Sequence, residues 1–436
     1  MKRLNKKIIL TTLIIFILFS LSVFITDFVE KTNFENTNNA LYNTGSLLGL
    51  IGFLALALLI ISGETARYFD KYFGIDIIIK TQRKFSIITT LIIITHPIFF
   101  ALAYSSMTQY FLPQTQTITL LAGTISLYLL IIIQTASMLY KKISQTTWQY
   151  LHMLIYALFF LSLYHAINHG SSFQNNDLIK IIFYILIVGT TIGIIYRTQH
   201  KIKTLLKEKP RIKKIRKETH DTYTLITNKP KNFKYEAGQF CFLKLNKNKL
   251  YARHPFTISS APHEKELKFT IKNTGKFTET AMKLKKEEPI TIEGPYGTFM
   301  PEKNKDLLLV AGGVGITPFI SIIKDKTQRK TKTKITLLYA SKTEKDIIYK
   351  EELKKLQRKN NNLKVIHYIS RENKKRYETR LNKENFLKHI KQLKQKKNQE
   401  KTQLMMCGPQ ELKQKIKEIL KEKNIKIKQK EESFFW

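Results

Sequence analysis

Within its first 200 residues this chain of 436 carries six apolar runs, at roughly 8–26, 46–62, 85–104, 117–139, 148–167 and 178–196. Each is long enough, or nearly so, to cross a bilayer, and the second is the shortest. A bilayer admits only backbones that satisfy their own hydrogen bonds, so residues 1–200 are expected to form six helices. From about residue 205 the pattern turns Lys-rich, with short alternating runs that call for a second, water-exposed architecture.

The basic residues between the runs give an orientation. Lys2, Arg3, Lys6 and Lys7 precede the first run, and Arg67, Lys71, Lys80, Arg83 and Lys84 separate the second from the third. Lys141 and Lys142 follow the fourth, and Arg197, Lys201 and Lys203 follow the sixth. The alternate loops, near 27–45, 105–116 and 168–177, hold only Lys31. The positive-inside rule therefore places both termini in the cytoplasm of an integral membrane protein. The first run also has the basic start of a secretory leader, but no small-residue cleavage site follows Ile25, so it is read as the first span.

Residues 1–200 hold 14 Lys or Arg against 7 Asp or Glu, so most of the net charge of +40 lies beyond residue 200. The lysines are spread through every element and no nucleic-acid motif accompanies them, so no nucleic-acid partner is expected; a basic face suits an anionic leaflet. Cys241 and Cys407 are the only cysteines, which excludes a disulfide framework.

Three histidines, His96, His152 and His165, interrupt the apolar runs. An ionisable side chain in a span is costly and points to function, and imidazole is a common axial ligand of haem iron. The plainer alternative is a histidine bonded to a neighbouring helix carbonyl. His152 and His165 are read as sharing one helix face, each available to one of two haems stacked across the bilayer. His169, four residues on, falls in a polar loop and reads as a surface residue, with acceptor or metal binding as its alternative.

Gln82-Arg83-Lys84-Phe85-Ser86 leading to His96, and Trp148-Gln-Tyr-Leu-His152-Met-Leu-Ile-Tyr156 leading to His165, resemble the ferric reductase-like transmembrane domain. That group includes the NADPH oxidases, the metalloreductases and the membrane subunits of bacterial methionine sulfoxide reductase systems. The resemblance implies two pairs of facing histidines, each holding one haem b. His96 and His165 match the outer pair and His152 one inner ligand, while the fourth position is Gln82. One or two haems are therefore open: an inner haem with His152 and a substitute, a single haem on His96, or a flavin reaching toward the membrane. The pair His96 and His165 is favoured, and Pro97 is expected to kink the third helix toward the facing ring.

In the second half, runs at 222–227, 239–245, 267–272 and 290–292 are separated by Gly, Pro and Asn and suggest an antiparallel β-barrel over 205–300. Arg253-His254-Pro255-Phe256-Thr257 among them resembles the flavin motif of the ferredoxin-NADP reductase superfamily. The resemblance implies FAD, with Phe256 stacked on isoalloxazine, Thr257 bonded to flavin N5, Arg253 and His254 at the pyrophosphate, and Pro255 also at the cofactor. Gly275-Lys276-Phe277-Thr278 resembles the second phosphate-binding turn, with Gly275, Phe277 and Thr278 at the cofactor.

Over 304–436 the period becomes that of a doubly wound α/β domain. Strands are expected at 306–310, 335–340, 365–370 and 403–407, and helices from 319 and near 349–359, 383–396 and 410–422. Gly312-Gly313-Val314-Gly315-Ile316-Thr317-Pro318 is a glycine turn between strand and helix, an anion site by backbone geometry. It resembles the superfamily's nicotinamide loop, and Cys407-Gly408-Pro409 its Cys-Gly loop, whose cysteine lies beside nicotinamide C4. Ser370 and Arg371 with Tyr377 look like the pocket for an adenosine 2′-phosphate, favouring NADPH over NADH. Trp436 matches the terminal aromatic that covers the flavin.

The expectation is a single-chain flavocytochrome b: cytoplasmic NADPH, FAD, haem b, then an external small-molecule acceptor such as a ferric chelate or oxygen. Phe100, where the NADPH oxidases place a histidine, counts against oxygen. The alternatives are supply to a partner reductase or quinone and, from another class, a membrane redox sensor that does not turn over.

Overall fold

In a computed structural model the chain forms two compact units, Met1–Leu206 and Lys207–Trp436. The structure describes all residues except 1, 107–109, 113–116, 141, 207, 246–252, 373–380, 391–395 and 433–436.

The described first unit is helical: α1 (Lys2–Lys31), α2 (Thr37–Glu64), α3 (Ala66–Phe73), α4 (Ile75–Ala103), α5 (Ile118–Met138), α6 (Gln145–Met153), α7 (Ile155–His169), α8 (Ser171–Asn175) and α9 (Asp177–Leu206). Six helical segments are long and apolar enough to cross a membrane, with α6 and α7 making up one of them. The shortest apolar run lies in a 28-residue helix. Its polar first turns are helical because Asn36 caps them, its side chain accepting from the Asn39 amide at 3.1 Å. The charged stretch between the second and third spans is α3 rather than a loop. The fifth span is interrupted at Leu154.

Lipid tails are as apolar as leucine, so these helices associate by close fit. Gly45, Gly49 and Gly52 put one face of α2 against α4, where a Cβ on Gly52 would stand 2.7 Å from Ile93 Cγ1. Phe53 stacks on Phe183 of α9 with ring centroids 4.5 Å apart. Leu18, Leu91 and Ile192 point outward, as lipid-facing side chains do.

The second unit begins with β1 (Ile212–Lys217), β2 (Thr222–Asn228), β3 (Phe240–Leu245), β4 (His254–Thr257), β5 (Glu266–Lys272), α10 (Lys276–Met282) and β6 (Ile290–Tyr296). The expected barrel takes the form of two three-stranded antiparallel sheets, β1-β2-β5 and β4-β3-β6. Bridges at Arg211–Pro289 and Ile258–Phe269 join them. Leu225 and Phe269 of one sheet and Cys241, Leu243 and Ile290 of the other share one core.

Next come β7 (Asp306–Gly312), α11 (Thr317–Gln328), β8 (Ile335–Ser341), α12 (Lys350–Lys359), β9 (Leu363–Ile369), α13 (Lys383–Ile390), α14 (Lys396–Lys401), β10 (Thr402–Cys407), α15 (Gln410–Glu422) and β11 (Lys428–Glu432). The strands form a parallel sheet in the order β11-β10-β7-β8-β9. Alternate residues of β7 feed opposite cores. Leu307 and Leu309 meet Phe319 of α11 and Leu353 of α12, and Leu308 and Val310 meet Phe386 of α13 and Ile416 of α15. The order reverses between β7 and β10, and ligands of such sheets bind at the strand ends beside that reversal.

Candidate functional site

His96 on α4 and His165 on α7 face each other across a cavity of about 500 Å³ between α2, α4, α5 and α7. Their ring centroids are 6.4 Å apart and their planes cross at 76°. His96 Nδ1 lies 2.7 Å from the Gly45 carbonyl and His165 Nδ1 2.9 Å from the Thr119 carbonyl. A carbonyl only accepts, so each Nδ1 carries the proton and each Nε2 keeps a lone pair, the tautomer a metal needs. Two nitrogen–metal bonds of about 2 Å, with about 1.1 Å from each ring centre to Nε2, span about 6.3 Å. The spacing thus fits one six-coordinate iron. Among the described residues no cluster of three or more His, Cys, Asp or Glu could hold a metal ion.

Each ring fits because a glycine faces it. A Cβ on Gly49 would stand 2.6 Å from His96 Cε1, and one on Gly123 would stand 2.9 Å from His165 Nδ1. Phe53, Leu127, Leu130 and Leu158 line the cavity, together with the hydroxyl-bearing Ser46, Ser126, Ser162 and Ser172. Pro97 lies inside α4, and His169 stacks on His165 at 5.5 Å.

His152 does not join this pair. Its ring stacks on Trp148, centroids 4.9 Å apart and 13° from parallel. Thirteen residues at about 100° each turn a helix some 140° from a common face, so the shared face read from the sequence is corrected; the helix is also broken between the two histidines, at Leu154. Gln82 is also engaged elsewhere, its amide donating to the Leu59 carbonyl at 3.2 Å and to Ser62 Oγ at 2.9 Å. A residue group that sequence reading missed ties α2, α7 and α9 together: buried Glu64 Oε1 accepts from Tyr156 at 2.9 Å and from Arg197 at 2.6 Å.

In the two-sheet domain β4 alternates its side chains, so His254 and Phe256 share a face. Both meet Phe277 of α10, at 4.1 Å and 5.8 Å between ring centroids. Burial lowers the His254 pKa, favouring the neutral ring. Thr257 is buried, and Pro255 pairs with Phe242. Arg253 Nη1 bonds both oxygens of Glu293, at 3.1 and 3.0 Å, and its guanidinium lies 4.7 Å from the Phe242 ring centre. The arginine expected at a pyrophosphate is thus already held by a carboxylate. Thr278 Oγ1 accepts from the Thr274 and Gly275 amides, and a Cβ on Gly275 would meet nothing within 4 Å. That turn is set by Thr278, with open space above the glycine.

In the parallel-sheet domain the loops after β7 and β10 lock together. A Cβ on Gly315 would overlap the Cys407 carbonyl, and one on Gly312 would stand 2.6 Å from Pro409 Cδ. Gly313, at φ 54°, has open space beside it, and Gly408, at φ 151°, packs its backbone on Gly312. Thr317 and Pro318 open α11. Cys407 is buried; burial first and the Glu432 carboxylate second raise its pKa and keep the thiol protonated. Ser370 and Arg371 follow β9, their amides donating to the carbonyls of Ser341 and Lys342. Tyr377 and Trp436 lie outside the described residues.

Residues 207–300 match the FAD-binding domain family, and residues 309–418 match the oxidoreductase NAD-binding domain family. NADH-cytochrome b5 reductase 2 of Candida glabrata is 32% identical over 162 residues, 36% of this chain and 54% of that protein. Respiratory burst oxidase homolog protein E of Arabidopsis thaliana is 31% identical over 132 residues, 24% of this chain and 14% of that protein. A ferredoxin NADP+ reductase from Neisseria gonorrhoeae is 20% identical with a TM-score of 0.46, covering 52% of this chain and 98% of the other. The chain spans about half the length of the reductase and a seventh of the oxidase.

Proposed function

We propose, from the premise that this chain is an oxidoreductase joining six membrane-length helices to FAD- and NAD-binding domains, that it carries electrons across a membrane. In this reading NAD(P)H is the donor, FAD and one haem b are the carriers, and the acceptor lies beyond the far membrane face. The observation that carries it is the facing pair His96 and His165, both lining one cavity and each with Nδ1 bound to a backbone carbonyl, which leaves Nε2 its lone pair.

When bound, FAD converts a hydride into single electrons and haem accepts them one at a time. The chain's own residues set positions and exclude water. The Gly45 and Thr119 carbonyls fix the two imidazoles, and Gly49 and Gly123 make room for them. Phe256 and Phe277 offer an aromatic face for isoalloxazine, Thr257 a hydroxyl for flavin N5, and Gly275 and Thr278 a turn open to the diphosphate. The loops bearing Gly313 and Cys407 meet at the sheet's reversal, where nicotinamide would lie against a neutral thiol. Arg371 is offered to the 2′-phosphate of NADPH. The basic residues around α3 and in the last turns of α9 favour a cytoplasmic reductase with both termini on that side.

The test follows haem and flavin absorbance together when NADPH is added anaerobically to the purified full chain. Reduction of both supports the reading. Reduction of flavin alone would favour the non-turnover sensor, whose one supporting observation is that Gln82 of α4, at the fourth ligand position, has its amide bonded to Ser62 of α2. Ferric chelate, oxygen and a partner reductase are then compared as acceptors.

A further inference from the structure

We propose that the acceptor is a quinone, seated against aromatic rings beside His96 and protonated through Ser46, Ser172 and Asp27; this deepens the haem reading above and rests on it. Two independent features of one cavity lead there.

The first is an aromatic wall. Phe100, one turn beyond His96, has its ring 4.8 Å from the imidazole. Tyr42 lies 5.0 Å from Phe100, and Tyr110 lies 6.0 Å from it at 25° to parallel. Tyr104 completes the group at 6.0 Å from Tyr42 and 6.3 Å from Tyr110. All four line the cavity that His96 and His165 share. Flat aromatic faces suit a planar ring.

The second is a hydroxyl path to a buried carboxylate. Ser46 and Ser172 line the same cavity, and their hydroxyls lie 3.3 Å apart. Ser172 donates to Asp27 Oδ2 at 2.6 Å, and Asp27 is 4% exposed. Lys31, partly exposed, pairs with Asp27 at 2.7 Å, and Asn176 donates to its other oxygen at 3.2 Å. A hydroxyl both gives and takes a proton, so this row can pass one from the Lys31 rim to the cavity.

Reducing oxygen to superoxide, or ferric to ferrous iron, consumes no proton. A quinone takes two electrons and two protons, and both carbonyls become hydroxyls. One hydride from NAD(P)H supplies the electron pair, delivered singly; two protons enter one after the other from water at the Lys31 rim and pass along Asp27, Ser172 and Ser46 to the two carbonyls, leaving Asp27 a carboxylate as before. Beyond its ion pair with Lys31, a carboxylate joined to the acceptor cavity by hydroxyls has a use in the second kind of reduction and none in the first.

The experiment uses the full chain, reduced anaerobically and mixed in stopped flow with a short-tailed ubiquinone or with ferricyanide, which takes an electron and no proton. Haem reoxidation is recorded. Ser46→Ala keeps the Asp27 contacts to Lys31 and Asn176, and should lower the quinone-to-ferricyanide rate ratio about tenfold or more. Asp27→Asn should do the same. An unchanged ratio in Ser46→Ala overturns the relay. Thermal shift of the unreduced chain by the same quinone reads binding without turnover. A shift lost in Tyr110→Ala supports the aromatic seat even if no haem is found, in which case the function reading fails alone. No shift in the unaltered chain overturns the quinone.

Discussion

Gly49 and His96 are in contact across α2 and α4, so close that a single methyl on the glycine would stand 2.6 Å from the imidazole. The relation repeats at Gly123 and His165. Each candidate ligand is therefore held by a carbonyl on one side and by the lack of a side chain on the other.

Gly49→Ala should turn the His96 ring off its bond to the Gly45 carbonyl while the helices still form, since alanine is a good helix former. Haem affinity should fall roughly tenfold or more, as for other losses of the groups that orient a ligand. Haem titration of the variant checks this; affinity equal to the unaltered chain would mean that the ring has room the geometry denies.

Gly315→Ala should drive the loop after β7 away from Cys407 and Gly408. The expected cost to the fragment from residue 207 is about 1–3 kcal/mol, with NAD(P)H oxidation lost and FAD retained. Denaturant unfolding, flavin content and hydride transfer separate the effects. Loss of FAD together with activity would point to general unfolding.

Arg371→Ala should raise the Michaelis constant for NADPH roughly tenfold and leave that for NADH nearly unchanged, because a guanidinium bonded to a dianion is lost. Equal changes for both nucleotides would remove Arg371 from the 2′-phosphate pocket.

His367 on β9 has its pKa lowered to about 4, by burial first and then by Lys350 and Lys354. Its folded value lies below the unfolded value of about 6.5, so acid favours the unfolded chain. Stability from this group is complete above about pH 6.5 and falls as pH drops toward 4, by up to about 3 kcal/mol. Urea unfolding of the fragment at pH 7 and pH 5 should show a smaller difference for His367→Gln than for the unaltered sequence. An equal difference would place the acid sensitivity elsewhere.

What could be read beforehand divides along physical lines. The six membrane-length segments of the first unit and the central strands β7, β8 and β10 are largely apolar runs, and hydropathy alone marks them. Strand β1 (Ile212–Lys217) and strand β11 (Lys428–Glu432) are mostly charged and are strands because a neighbouring strand pairs with them, a fact no local pattern carries. His96 and His165 were legible because imidazole is costly in a span, whereas the isolation of His152 depends on helical phase and on the break at Leu154. The pairing of Arg253 with Glu293 joins residues 40 apart, and the Ser46, Ser172 and Asp27 row draws on three helices. Neither has a sequence spacing to betray it.

The central claim is one haem held by His96 and His165, and the most direct measurement is haem per chain with the dithionite-reduced spectrum. The account predicts one low-spin haem b in the unaltered protein, the same in His152→Ala, and loss of the low-spin spectrum in both His96→Ala and His165→Ala. Two haems per chain, or a spectrum that survives His96→Ala and changes with His152→Ala, would contradict it.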